Sequence, residues 1–409
     1  MTYNPIAFAV PVFLILIALE VWVAWRRGAR VYRLNDALSD LGCGVAQQVR
    51  EILIGALLLI PYVWLYEHAR LFDLPAWVGW ILGILGYDLG YYAYHRFSHR
   101  SNLGWASHVV HHQSEDYNLA VALRQSMFAG LVGWPFYLPL AILGVDPFTY
   151  AVCASVNLLY QFWIHTQLID RLGPLEWVLN TPSHHRLHHG CDPRSIDTNY
   201  AGMFILWDRM FGTFRPEEHR PTYGALRPLR SWNPIWANIE PIVAIWREAA
   251  RAPRWRDRLW IWFAPPEWHP AVPGQEAPVA VAGGPGFGYN ADNPAAHPYV
   301  VAQLGGVIAA LTLLLLYQPS LGWGWVLAGS AWIYLSLLII GGLTERKPWA
   351  LPLEMARLFA MGLLPGLAAA QGHPVPGGAA LVWAFAGWAA LSLGGLRLRP
   401  PLDTPPPSL

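Results

Sequence analysis

Long apolar runs set the terms on which this chain can fold. Pro5–Trp25 is long enough to cross a bilayer and ends in an arginine cluster, Arg26, Arg27, Arg30 and Arg33. Further runs cover Ile52–Tyr66, Ala76–Tyr94, Met127–Val145 and Phe148–Ile164, the last two parted by Asp146 and Pro147. Four more follow near 300–317, 321–343, 358–370 and 379–395. A soluble fold would have to bury all of them. With 55% hydrophobic and 13% charged residues, the polar surface needed to enclose them is missing, whereas a bilayer accepts each as a spanning helix. The expected fold class is therefore all-α, a polytopic integral membrane protein with seven to nine spans. A hydrocarbon core of ~30 Å needs about 20 helical residues. The runs at Ile52–Tyr66 and 358–370 are short by that measure, and each reads as a span or as a re-entrant or interfacial segment. No positive stretch precedes Pro5–Trp25, which reads as an uncleaved anchor rather than a signal peptide.

The positive-inside rule gives one orientation. With Arg26–Arg33 in the cytoplasm, His95–Gln125, the polar 166–298 region, Arg346-Lys347 and the Arg397/Arg399 tail share that side, and the opposite turns are short and nearly uncharged. The chain divides into N-terminal transmembrane helices (1–83), a histidine-bearing unit with transmembrane helices (84–220), a cytoplasmic or interfacial segment (221–298) and C-terminal transmembrane helices (299–399). In the third part, Glu240–Trp262 mixes Trp, Ile and Leu with Arg at helical spacing. It reads as an amphipathic helix, lying on the membrane surface or packed on the cytoplasmic domain. Gly284–Phe287 and 290–298 read as loop. A net charge of +1 makes no electrostatic case for a nucleic-acid partner. Cys43, Cys153 and Cys191 are an odd number without C-x2-C spacing, which argues against a disulfide framework or a zinc ribbon. Cys191, just after a histidine cluster, reads as a buried thiol before it reads as a ligand.

Nine of the fifteen histidines fall in the windows 95–112 and 184–189, where chance would put about one. Three patterns carry the clustering. His95 and His99 form H-x3-H at the end of the third apolar run. His108, His111 and His112 form H-x2-HH. His185, His188 and His189 form a second H-x2-HH, with His184 just before it. On a helix, positions i, i+3 and i+4 share a face, so each pattern presents imidazoles in one direction. Neutral imidazole is the commonest protein metal ligand. Eight converging rings exceed the need of one ion, whereas two ions would take three or four each and keep positions open for O₂. The expectation is a histidine-rich di-metal site on the cytoplasmic face.

A zinc metalloprotease shares the H-x3-H skeleton but needs Glu after the first histidine, where Arg96 stands. A metal-uptake tract would be of low complexity, unlike these separate motifs. A transporter or metal-handling protein without catalysis fits the hydropathy equally, but not the paired H-x2-HH. His165, at the end of the fifth run, is a candidate ligand or supporting group; so is His184. Asp88, in the third run, is placed to orient an imidazole through its free N–H or to bond between helices. Glu115 and Asp116 are candidates for the same task beside the second cluster, with Asn180, Asn199 and Asp208 behind them. Trp105, Tyr117, Tyr160, Phe162 and Trp163 are candidates for a chain channel or a stacking surface, or are interface and packing aromatics.

The three patterns in this order, set between membrane spans, resemble the fatty acid hydroxylase and sterol desaturase superfamily, whose signature H-x3-H, H-x2-HH, H-x2-HH is complete here. Longer stretches resemble its alkylglycerol monooxygenase family: Ser114–Ser126, Asn157–Thr166, Leu172–His184, Ile196–Gly202 and Trp207–Phe214. The likeness covers roughly 84–290, and the apolar C-terminal third matches in layout only. It implies O₂-dependent hydroxylation of the alkyl carbon beside an ether oxygen, giving a hemiacetal that collapses to a fatty aldehyde and a glycerol derivative. It further implies two iron ions per chain held by His95, His99, His108, His111, His112, His185, His188 and His189, with tetrahydrobiopterin as reductant. Cleaving an sp³ C–H bond with O₂ needs a redox centre that side chains alone do not supply. The implied location is the bacterial inner membrane or the endoplasmic reticulum. In that family an acidic residue follows the second histidine of H-x3-H; here Arg100 stands there, a departure that bears on reductant and substrate. The alternative keeps the cage and changes the chemistry: a sterol, fatty acyl or carotenoid hydroxylase or desaturase fed by a ferredoxin- or cytochrome-type donor.

Overall fold

Helices supply the regular structure of residues 5–270, 298–370 and 378–397, which the computed structural model describes; besides them lie two isolated backbone bridges, Leu179 to Phe204 and Gly190 to Tyr223. The loop expected at 284–297 and Arg399 fall outside the described residues. Four described helices are long and apolar enough to cross a membrane: α1 (Pro5–Arg26), α2 (Leu34–Ala69), and the helices numbered α13 (Pro298–Tyr317) and α14 (Trp323–Thr344) below.

The run at Ile52–Tyr66 is no re-entrant segment. It is the C-terminal half of α2, a 36-residue helix of about 54 Å at 1.5 Å per residue. Hydropathy missed the first half because it buries Asn35, Asp36, Ser39 and Asp40 against the rest of the protein. The run at 358–370 likewise belongs to a longer helix, α15 (Ala350–Ala370), whose buried Glu354 and Arg357 interrupt the apolar pattern. α16 (Gly378–Arg397) follows.

Met127–Val145 does not form one helix, contrary to its hydropathy. Pro135 and Pro139 divide it into α6 (Ala129–Gly133), a 3₁₀ turn (Trp134–Tyr137) and α7 (Leu138–Leu143), because proline cannot donate to the preceding turn and crowds it. The chain reverses at Gly144, with φ of 97°, and returns as α8 (Pro147–Trp163). Asp146 caps that helix by accepting from Phe148 N and Thr149 N, both at 3.0 Å, with Pro147 at the first helical position.

α3 (Ala76–Arg100) and α4 (Asn102–His112) meet at Ser101, whose extended backbone ends one helix and whose Oγ caps the next by accepting from Gly104 N at 3.1 Å. The short α5 (Leu119–Ala122) lies before α6; α9 (Pro182–His188) and α10 (Leu206–Phe211) follow α8. The amphipathic stretch expected at Glu240–Trp262 is two helices, α11 (Pro234–Arg251) and α12 (Trp255–Trp260). The break falls at Ala252-Pro253, where the residue before a proline is driven out of the helical region. α11 packs against α2, α4 and α14 through buried Ala237, Ile245 and Ala249, so it ties the histidine-bearing unit to the C-terminal helices.

Candidate metal centre

The helical period brings the histidines together, but it divides each motif. Ligand atoms of His95, His99, His108, His112 and His188 form one group; those of His111, His165, His185 and His189 form a second. Within each group the atoms lie within 4.8 Å of one another. On α4, His108 and His112 are i and i+4 and face the first group, while His111 turns to the second. On α9 and just beyond it, His185 and His189 serve the second group and His188 the first. The groups adjoin where the His112 and His189 rings stack at 4.5 Å.

Tautomers follow from the backbone. His95 Nδ1 lies 2.7 Å from Tyr200 O, His111 Nδ1 3.0 Å from Arg124 O, His165 Nδ1 2.7 Å from Gln161 O, and His188 Nδ1 2.8 Å from Thr198 O. A carbonyl oxygen only accepts, so each Nδ1 carries the proton and donates it. Each Nε2 is then left with a lone pair, turned into the cage. His111 Nε2 and His165 Nε2 face each other at 3.1 Å with no proton between them. His99, His188 and His189 bury Nε2 without a hydrogen-bond partner. Burial holds His108, His112, His185, His188 and His189 well below the usual imidazole range, helped by repulsion among the rings, and takes His111 down to about 4. Converging lone pairs on rings that resist protonation require a cation other than a proton. The donor set fits metal ions.

The loop from 197 to 208 aims two of those carbonyls. Asp197 and Asn199 hold positive φ, 60° and 55°, a conformation that Asp and Asn tolerate better than other side chains. They flank Thr198, and Tyr200 follows. Asp208 anchors the loop, its carboxylate accepting from Tyr200 N and Ala201 N at 2.8 Å and from Thr213 Oγ1 at 2.6 Å. Asp88 anchors it from α3. Its oxygens accept from Met203 N (2.6 Å), Phe204 N (2.9 Å), Trp207 Nε1 (2.9 Å) and Asn157 Nδ2 (2.6 Å). Asp88 therefore acts on the loop and, among the described residues, bonds to no imidazole.

The other sequence candidates sort as follows. His165 joins the cage. His184 does not: it packs edge-on to Phe214 at 5.3 Å and lies 3.9 Å from Glu176, because its neighbour His185 takes the inward face of α9. Glu115 and Asp116 bind Arg33, Asp116 with contacts at 2.8 Å to Arg33 N and Nε, and leave the orienting of His111 to the Arg124 carbonyl. Asn180 Nδ2 donates to Ala201 O (2.6 Å), and Asn199 Nδ2 to His184 O (3.1 Å) and Arg215 O (2.8 Å). Trp105 and Tyr117 wall the cage, with Trp105 5.0 Å from the His99 ring and Tyr117 5.1 Å from His189. Tyr160 donates to Asn180 O (2.7 Å), and Phe162 packs on Phe13 at 4.5 Å. Trp163 meets the Tyr160 ring at 5.6 Å. Cys191 is buried outside both groups, its Sγ 3.1 Å from Thr222 O.

Sequence reasoning missed three contributions. Arg186 is buried between two cage histidines and clamps Glu217 bidentately at 2.9 and 2.7 Å, while its Nη1 donates to Thr166 O at 2.9 Å. Asp197 lies 3.5 Å from His99 Nδ1 and pairs with Arg100 at 2.7 Å. The orienting carbonyls are the third. The aspartate could have been suspected from the Ile196–Gly202 stretch; backbone oxygens leave no trace in residue identity.

The Fatty acid hydroxylase family model matches residues 80–213, the segment that contains all nine cage histidines. The chain is 39% identical over 354 residues to "Alkylglycerol monooxygenase" of Xenopus tropicalis, covering 84% of this chain and 78% of that one. It is 38% identical over 357 residues to "Alkylglycerol monooxygenase" of Homo sapiens, covering 85% and 80%. To that of Danio rerio it is 39% identical over 366 residues, covering 87% and 81%. No solved structure matches.

Proposed function

The chain belongs to the fatty acid hydroxylase family, in the branch of its alkylglycerol monooxygenase relatives, and is an O₂-dependent lipid monooxygenase of the membrane; from that premise we propose that it hydroxylates the alkyl carbon next to the ether bond of an alkylglycerol, releasing a fatty aldehyde and a glycerol derivative. The observation that carries the proposal is the pair of histidine groups, in a chain similar to those relatives over most of its length.

In this reading the group of five and the group of four each hold one iron ion, with His165 as a ninth ligand and His184 outside the set. Bound iron supplies the O₂ activation that side chains lack. The chain's own residues do the rest. The Tyr200, Arg124, Gln161 and Thr198 carbonyls hold four rings in the tautomer that presents Nε2. Burial keeps the rings neutral, and Trp105 and Tyr117 shield them from water.

The proposal includes seven to nine spans, with α3 and α8 among them, and the cage on the cytoplasmic face. The arginine distribution supports that orientation. It also keeps 84–220 as the catalytic unit, with 1–83 and 299–399 as transmembrane flanks and 221–298 as the cytoplasmic or interfacial part. Electrons come from a tetrahydropterin, which reaches the cage from the aqueous side while the alkyl tail stays in lipid.

The test uses the full chain in lipid, loaded with Fe(II) and given a long-chain alkylglycerol, tetrahydrobiopterin and O₂. Fatty aldehyde that appears only when all three are present is the expected result. Two bound irons per chain without aldehyde would overturn the substrate and donor assignment. The oxidisable lipid would then be sought among sterols and acyl chains with a ferredoxin-type donor.

A further inference from the structure

One side of α3 that faces away from the cage carries an amphiphilic groove. Leu89, Tyr92, Ala93, Arg96, Phe97 and Arg100 recur along it at helical spacing, and with Phe211 of α10 they line a space of about 380 Å³. The stripe is ordered along the helix axis. Leu89 and Ala93 stand toward the apolar body of α3, and the two arginines stand at the end where the histidines are. Over 11 residues this amounts to about 16 Å.

Both arginines are exposed. Arg96 donates to Tyr92 Oη at 3.2 Å and, among the described residues, forms no ion pair; Arg100 pairs with Asp197 and also lies in the field of Glu267. Phe211, which closes the groove, stacks on Tyr92 at 5.3 Å between centroids. Outside it lies an exposed apolar apron formed by Met210 and, across Arg209, by Trp177. The Arg209 guanidinium sits 5.3 Å from the Trp177 ring and donates to Glu176 O at 3.1 Å. An apron of this kind beside spanning helices sits at the lipid interface.

We propose that this groove is a binding site for a membrane lipid with a phosphoryl head group, held by Arg96 and Arg100, with its chain laid along Ala93 and Leu89 beneath Phe211. Two guanidinium groups one turn apart on a helix match the several acceptor oxygens of a phosphate. The direction of the stripe, apolar then cationic, matches an amphiphile whose tail points into the bilayer. An uncharged head group would leave the Arg96 guanidinium, bonded only to Tyr92 Oη among the described residues, without an anion. The site is separate from the cage but linked to it: Arg100 also holds Asp197, the carboxylate nearest His99 Nδ1.

The test reads binding and needs neither iron nor turnover, so it is independent of which lipid is oxidised. The full chain in uncharged detergent is photolabelled with phosphatidic acid carrying a diazirine in its acyl chain, and with diacylglycerol carrying the same chain. Labelled peptides are mapped by mass spectrometry. The expected result is at least about tenfold stronger labelling of 86–97 and 206–214 by the phosphate lipid. Arg96→Gln should bring it to the diacylglycerol level, and Arg96→Lys should retain part of it. Labelling of α13 and α14 reports that each variant is folded. Equal labelling by the two lipids would overturn the proposal, as would undiminished labelling of Arg96→Gln. Displacement of the lipid by millimolar inorganic phosphate would also overturn it, as the mark of a site for the free anion.

Discussion

Four cage rings, those of His95, His111, His165 and His188, have two nitrogens with opposite duties. A carbonyl beside Nδ1 fixes the proton there and raises the basicity of Nε2. Replacing one ring removes a donor and leaves a hole lined by other lone pairs, so His111→Ala and His188→Ala are each expected to lower iron content at least about tenfold. Activity should fall with it while the protein still inserts; iron per chain, measured beside membrane-fraction yield, checks this. Full activity with either ring missing would end the cage hypothesis. The lowered imidazole pKa values carry a pH signature. A histidine depressed in the folded state binds more protons when unfolded, so the metal-free chain should lose stability as pH falls from about 6.5 toward the folded value and show no such dependence above it. For His111, moved from 6.5 to about 4, that interval is where a plot of melting temperature against pH should slope. The histidines that gather in the cage were legible because their spacing is the period of the helix itself. The donation of neighbouring histidines to different groups was not, since a motif written in one dimension does not say that His111 and His112 point roughly 100° apart. Asp88 was singled out either to orient an imidazole or to bond between helices; the second holds, through Asn157 Nδ2 of α8, while its bonds to Met203 N, Phe204 N and Trp207 Nε1 tie down a loop that the sequence does not place beside it.

Two elements set the dimensions of the cage. The first is the junction of α3 with α4, where a Cβ on Gly104 would come within 2.6 Å of Ser98 Cα and 2.8 Å of Phe97 O. The backbone has little room to yield there. Gly104→Ala is expected to cost about 1–3 kcal/mol and to separate His108 from His95, now 2.8 Å apart at Nε2. A lowered melting temperature together with weaker iron binding would bear that out; an unchanged iron affinity would show that the junction does not set the cage. The second is the loop from 197 to 208. Asp88→Ala leaves Met203 N, Phe204 N and Trp207 Nε1 without their acceptor, and the loop carries the carbonyls behind His95 and His188. The expected result is a loss of iron affinity of about 10–100-fold with all ligands intact, read by chelator competition. At this scale the sequence was read well wherever an element is uniformly apolar, as in α1, α13 and α14. It was misread where polar burial or proline interrupts the pattern, as in α2, α15 and Met127–Val145. Hydropathy treats a buried aspartate as a boundary, but Asp36 lies in the first turn and Asp40 in the second of one continuous helix.

Across the whole molecule, the C-terminal helices are bound together by charge inside an apolar bundle. Arg357 donates to Glu354 at 2.7 Å through Nε and again through Nη2, to Ser336 at 2.9 Å and to Gln303 at 2.7 Å; Gln303 donates in turn to Ser392 at 2.7 Å. Four helices, α13 to α16, meet in this cluster. Breaking a buried pair leaves an uncompensated charge, so Arg357→Met should cost about 3–5 kcal/mol, and Glu354→Gln in the same chain should restore part of it. Thermal unfolding in detergent of the single and double variants would reveal this; a single variant as stable as the parent would deny the pair any structural weight. Beyond the layout of apolar runs, only the Glu354–Arg357 pair, three residues apart, has a local signature; the partners 21 to 89 residues apart have none. The backbone oxygens that orient the rings have a consequence for how the enzyme is made. They belong to residues 124, 161, 198 and 200, while the rings run from 95 to 189, so no nascent fragment ending before Tyr200 contains a finished cage. Loading with metal must therefore follow the folding of α8 and the closure of the loop behind it, and metal occupancy becomes a readout of correct biogenesis as much as of competence for chemistry.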